Sequence, residues 1–277
     1  MTVLIILIGI GLVIYPFVAN YVFENRKDGV INTFERTVDN TEEKEVDKAW
    51  KAAEEYNKAL EDQHVKLTDP FAGDKKTGTD EKTYNSLLSL QGTSMMGFIN
   101  IPSIDVDLPI YHGTSEKVLR SGVGHLEGSS LPVGGESVHT ILTSHSGLSN
   151  AKLFTDLTEL ENGDIFILNI LGRKIAYEVD QIKIVKPYQV DDLSIVHGKD
   201  YCTLITCTPY GINTHRLLVR GKRIPYEEEV VEEKGEITHA VKSQWMQQYK
   251  KSLIVGGCVL IVILLISWIL DKIRRKK

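Results

Sequence analysis

The chain has 277 residues, three cysteines and a formal charge of −5, enough for one domain of ordinary size with extensions. The negative balance provides no basic field for nucleic acid, and no interleaving of aromatic and basic residues suggests such a partner. With Cys258 in an apolar run, only Cys202 and Cys207 belong to the soluble part, and their odd spacing on one predicted strand points them to opposite faces, against a disulfide.

Residues 1–23 carry no charge and are dense in Ile, Leu and Val. At ~20 residues per bilayer crossing this is long enough for a transmembrane anchor. A cleaved signal peptide competes with that reading, but no convincing small-x-small site follows, and an uncleaved anchor is expected. Residues 24–62 read as a charged helical extension, in which Val38, Val46, Ala49, Trp50, Ala53, Tyr56 and Leu60 form a sparse apolar stripe. The stretch 63–84, punctuated by Pro70, Gly73 and Gly78, reads as a loop. It contains Asp69-Pro70-Phe71, by itself an ordinary turn.

From 85 to 226 the pattern changes to short strands, at 95–101, 104–111, 137–144, 165–170 and 174–186, then a run ending at Cys207 and another at 214–224. Residues 116–120 and 150–160 read as short helices. The Gly-rich stretch 122–135 is no phosphate loop, because no strand feeds it and no Gly-Lys-Ser/Thr closes it. Strands at this spacing with few helices predict a mainly β fold closed into a barrel. Residues 227–251 read as a linker and 252–270 as a second uncharged span. The basic tail 271–277 places both termini in the cytoplasm and the central domain outside the cell membrane, by the positive-inside rule. One detail opposes this orientation: Arg26 and Lys27 follow the first span and no basic residue precedes it.

Two strand ends carry candidate chemistry. In Thr203-Leu-Ile-Thr-Cys207 a strand runs into Thr208-Pro209-Tyr210-Gly211, so a thiol sits at the strand mouth, and Arg216 lies on the returning strand. A thiol beside a guanidinium suits a nucleophile with a charge stabiliser, although a buried structural cysteine is the commoner case. In Thr143-Ser-His145-Ser-Gly147 another strand end carries an imidazole, which titrates near neutral pH and suits a general acid/base. Cys207 and His145 would have to meet in space. His125 and His139 are rivals to His145, and Arg220 shares the parity of Arg216. No histidine has metal-ligand spacing with a carboxylate or thiol, so neither metal nor cofactor is expected.

These motifs, in this order over about 85–226, resemble the sortases, membrane-anchored cysteine transpeptidases of Gram-positive bacteria. The resemblance implies an eight-stranded barrel with Cys207 as nucleophile, His145 as acid/base and Arg216 as oxyanion or substrate stabiliser. Asp69-Pro70-Phe71, the Gly-rich stretch and the second span resemble class C, the pilus-assembling sortases, in which an Asp-Pro-aromatic lid lies over the site. The carboxylate of Asp69 can then pair with Arg216 while Phe71 covers the thiol. His125 and Thr206 are further candidates for the substrate groove. The implied reaction cleaves an L-P-x-T-G-like signal between Thr and Gly and passes the acyl group to a lysine of another pilin. The implied partners are pilin subunits and membrane lipid. The alternatives are a housekeeping sortase acting on a peptidoglycan precursor, and a non-enzymatic tethered binding module in which Cys207 is structural.

Overall fold

A computed structural model describes residues 2–61, 65, 67–72, 81–148, 150–228 and 243–274. Eight strands close into a barrel: β1 (Met95–Ile101), β2 (Val106–His112), β3 (Val123–His125), β4 (Val138–Thr143), β5 (Ile165–Ile170), β6 (Arg173–Val185), β7 (Asp200–Thr208) and β8 (His215–Ile224). They are hydrogen-bonded in the order β1-β2-β3-β4-β7-β8-β6-β5. The expected eight-stranded, mainly β barrel is therefore present. Helices α1 (Thr2–Asp39), α2 (Glu43–Glu61), α3 (Glu81–Ser86), α4 (Glu116–Ser121) and α5 (Gln244–Arg274) surround it.

Alternation along the strands divides side chains between the barrel interior and its outer face. Cys202, Leu204, Leu217 and Val219 join the main core. Ile205 and Leu218 face outward into a second apolar cluster with Leu67, Leu126, Ile141 and Leu193. The segment before α3 packs on that outer cluster through Val65 and Phe71. Cys202 is fully buried, whereas Cys207 shares the outward parity of Ile205, so the two thiols lie on opposite faces as their spacing requires.

Helix α1 runs unbroken through the composition change at 23/24, and its second half buries Ile31 and Phe34. Helix α2 buries Val46, Trp50, Ala53 and Leu60 along the stripe read from sequence. Its buried Asn57 pins the Gly-rich stretch, donating to the Leu131 carbonyl (3.0 Å) and accepting from the Leu131 amide (2.7 Å).

Three elements differ from expectation, the first being α3, which begins inside the stretch 63–84 expected to be a loop. The stretch 150–160 holds only a 3₁₀ turn, Thr155–Glu159. Leu153 there has φ of 45°, and Thr155 Oγ1 bonds the Lys152 carbonyl, a local alternative to helical pairing. The Gly-rich stretch contains β3, which pairs in parallel with β2. A Cβ at Gly122 or Gly124 would meet the carbonyl oxygens of Pro109 (2.5 Å) or Gly113 (2.4 Å), so glycine is what allows this close backbone approach.

The two terminal helices touch, with Phe17 edge-on to Tyr249 at 4.1 Å and Tyr249 Oη donating to the Val13 carbonyl (2.7 Å). Among the described residues no helix is long and apolar enough to cross a membrane. Most of the linker expected at 227–251 lies outside the described residues, and α5 already begins at Gln244.

Candidate active site

Strand β7 ends with Cys207 directly opposite Arg216 of β8 in the antiparallel ladder. Directly opposite residues share a face, so thiol and guanidinium stand side by side on the outside of the barrel. Strand β4 runs parallel to β7, with Thr143 beside Ile205. Beyond that pair the chains stay laced together: the Ser144 amide donates to the Ile205 carbonyl (3.2 Å), and Thr206 Oγ1 donates to the Ser144 carbonyl (2.9 Å). Ser146 Oγ then donates to the carbonyl of Cys207 itself (2.7 Å). His145, between Ser144 and Ser146, is thereby held at the same barrel rim as Cys207.

His145 Nε2 donates to Glu116 Oε2 (3.0 Å), at the start of α4. Glu116 in turn accepts from Arg120 Nε (2.6 Å), one turn along the helix. The bond from Arg120 is the largest influence holding the Glu116 carboxyl below its ordinary range; burial opposes it, and the bond from His145 adds to the lowering.

The segment carrying Asp69-Pro70-Phe71 lies across these groups. Arg216 donates from Nε to Asp69 Oδ1 and from Nη2 to Asp69 Oδ2, both at 2.8 Å. This is the paired, planar geometry that guanidinium and carboxylate prefer. The Phe71 ring sits 4.9 Å from the Arg216 guanidinium carbon and 5.7 Å from the His145 ring. Its amide also bonds Asp69 Oδ1 (3.4 Å), an Asx turn that fixes ring and carboxylate together. Pro70 is buried between them. Burial pushes the Cys207 thiol up, Arg216 draws it down, and Asp69 pushes it up again. Asp69 is thus one of the groups that raise the thiol, in opposition to Arg216.

The rivals have other occupations. Arg220 is held bidentately by Asp180 of β6 (2.9 Å for each bond) and stacks 4.1 Å above Tyr201. His139 is buried and bonds the Ser194 carbonyl (2.8 Å) and Thr203 Oγ1 (2.7 Å). Burial pushes His139 and His125 down to about 4, so both rings are neutral at pH 7. Neither suggested groove residue reaches the surface. His125 is fully buried between Tyr84 Oη (2.8 Å) and the Ser130 carbonyl (2.9 Å), and Thr206, also fully buried, takes the inward parity opposite to Cys207. A cavity of about 700 Å³ does open on the outer face, bordered by Leu60, Val65, Leu67, His139, Leu193 and His197.

Sequence reasoning missed Glu116 and Ser146 as neighbours of the site. The four-residue spacing of Glu116 and Arg120 was visible, but the 29-residue separation of Glu116 from His145 leaves no local signal.

Comparison with known proteins places this geometry. The sortase domain family matches residues 99–224. Sortase D of Bacillus subtilis is 30% identical over 156 residues, which cover 55% of this chain and 76% of that protein. Sortase C of Streptococcus pneumoniae has a crystal structure 46% identical, with a TM-score of 0.66 over 72% of this chain and 97% of that one. The crystal structure of sortase C1 from Streptococcus agalactiae is 47% identical, with a TM-score of 0.66 over 72% of this chain and 99% of that one. The chain belongs to the sortase family of cysteine transpeptidases.

Proposed function

We propose that this protein is a pilin polymerase. It cleaves an L-P-x-T-G-like sorting signal between Thr and Gly and joins the acyl group to a lysine of the next pilin. The observation that carries this reading is Arg216, shared between Cys207 on the neighbouring strand and Asp69 in the segment across the site. The S. pneumoniae sortase C to which the chain is similar is described in terms of pilin substrate specificity, which supports the substrate class.

The chemistry follows from the side chains. Once Asp69-Pro70-Phe71 moves aside, the Cys207 thiolate attacks the carbonyl carbon of the signal's Thr. Arg216, released from Asp69, donates hydrogen bonds to the oxyanion or the adjoining substrate backbone. His145, as imidazolium, gives a proton to the leaving Gly amine as the C–N bond breaks, and a Cys207 thioester remains. A lysine amine then attacks the thioester carbonyl and expels the thiolate. The amine's proton passes to His145, restoring the starting protonation and leaving an isopeptide bond.

Membrane anchoring completes the reading. The uncharged segments 1–23 and 252–270 would cross the bilayer, and the basic tail would lie in the cytoplasm, leaving the barrel outside. In support, Ile14, Val18 and Tyr21 of α1 and Ile254, Val259 and Leu265 of α5 are exposed. Proteolysis of intact protoplasts then removes the barrel and spares a tag placed after Lys277, whereas loss of the tag reverses the orientation.

The test of function is incubation with a labelled L-P-x-T-G peptide followed by intact-mass analysis. The expected product is an acyl adduct on Cys207 that transfers to an added lysine-bearing pilin. No adduct, or one that passes only to a peptidoglycan precursor, rejects pilin polymerisation.

A further inference from the structure

We propose that Glu116 is the positioning residue for His145, fixing the Nε2–H tautomer so that Nδ1 is the nitrogen through which His145 exchanges protons. The inference rests on the acid/base role assigned to His145 above. The contact itself is direct: Nε2 and Glu116 Oε2 are 3.0 Å apart, and the His145 side chain is 18% exposed. A carboxylate that stays ionised is an acceptor only, so the nitrogen facing it must carry the hydrogen. Arg120 on the next turn lowers the Glu116 carboxyl further below its ordinary range, which already leaves it ionised at neutral pH. A neutral ring bonded in this way has its lone pair on Nδ1, and a charged ring is stabilised by the neighbouring carboxylate.

The arrangement also has a rigid base. Ser115 caps α4 by accepting from the Val118 amide, so Glu116 projects from an anchored first turn. The other charged or titratable groups of this rim are Asp69 in the covering segment, Cys207 on β7, Tyr210 beside Gly147, and His215 and Arg216 on β8. None of them is bonded to His145 Nε2, whereas Glu116 is. Glu116 takes no part in the Asp69–Arg216 bonds, so it can hold the ring whether or not Asp69 has let go.

The test has two arms, both on the full chain. First, ¹⁵N-histidine-labelled protein without peptide is examined by NMR, and the His145 signals are identified by their loss in His145→Gln. Wild type shows the Nε2–H tautomer at alkaline pH. Glu116→Gln loses that preference, Glu116→Asp keeps part of it, and Arg120→Gln retains it because the carboxylate remains. Second, peptide cleavage is followed across pH. Glu116→Gln lowers kcat about tenfold with KM unchanged, a fraction of what a positioned acid/base supplies. An unchanged tautomer in Glu116→Gln overturns the proposal, as does an equal effect on kcat from Arg120→Gln and Glu116→Gln. Failure of every chain, wild type included, to cleave peptide instead removes the sorting reaction while the tautomer arm still decides the role of Glu116.

Discussion

Strand β8 presents two outward arginines four residues apart, and their surroundings are near copies. Each is held bidentately by an aspartate and lies over an aromatic ring: Arg220 with Asp180 and Tyr201, Arg216 with Asp69 and Phe71. The difference lies in where the partners come from. Asp180 and Tyr201 sit on β6 and β7, the strands that flank β8 in the barrel, so the Arg220 cluster is part of the sheet. Asp69 and Phe71 come from a loop segment 147 residues away in sequence, laid over the barrel and absent from its hydrogen-bonded ladder. The same ion pair and ring contact therefore brace the barrel wall at one position, whereas at the other we propose that they form a separable cover.

The largest effect that follows concerns the thiol beside the separable pair. Cys207→Ala is expected to abolish acyl transfer while the barrel still folds, as measured by thioester mass and by circular dichroism. Residual transfer near the wild-type rate would remove the nucleophile from this end of β7.

Next comes a contrast between the two arginines. Arg216→Lys should cost about 10²–10³-fold in kcat/KM, the usual loss for one missing oxyanion donor, because an ammonium cannot reproduce the planar fork. Arg220→Lys should leave kcat/KM within a few-fold of wild type. Equal losses from the two changes would show that position on β8, rather than proximity to Cys207, controls activity.

Stability should invert that order. Asp180→Ala leaves a guanidinium of the barrel wall without its partner and is expected to cost about 1–3 kcal/mol in denaturant unfolding. Asp69→Ala should barely move the midpoint, since Arg216 at the rim becomes accessible to water once the segment lifts. The smallest effect is that of salt: between low and high ionic strength the Asp69–Arg216 closure should weaken slightly, because both side chains are only 11–13% exposed and thus poorly screened.

The parts of this comparison that were legible in the sequence are the local ones. Cys207 and His145 stand at strand ends announced by Thr208-Pro209-Tyr210-Gly211 and Ser146-Gly147. Alternation put Cys202 inside and Cys207 outside, and β4, β7 and β8 follow their expected spans within a few residues. The same parity rule assigns Thr206 to the interior, so proposing it for the groove ran against the pattern already visible. His125, in the Gly-rich stretch, is open from sequence to either a groove or a structural role; the glycines allow β3 to pair in parallel with β2, and the ring is fully buried. Pairings between distant segments were illegible: Asn57 with Leu131, Glu116 with His145, Arg220 with Asp180. Their residue types are common on any surface, and only the closed barrel brings them together. Asp69 and Arg216 are farther apart still, 147 residues, and their pairing is legible only through the resemblance to class C sortases.

The rate of thiol modification at Cys207 is the measurement that tests the separable cover most directly. It is followed by peptide mass so that the exposed Cys258 is counted apart. Asp69→Ala and Phe71→Ala should each accelerate labelling about tenfold, equivalent to ~1.4 kcal/mol withdrawn from the closed state, and the double change should accelerate it further. Asp180→Ala, which removes the matching contact in the barrel wall, should label at the wild-type rate. Identical rates at Cys207 in all four variants and the wild type would contradict the account and make 65–72 an ordinary connection rather than a cover over the thiol.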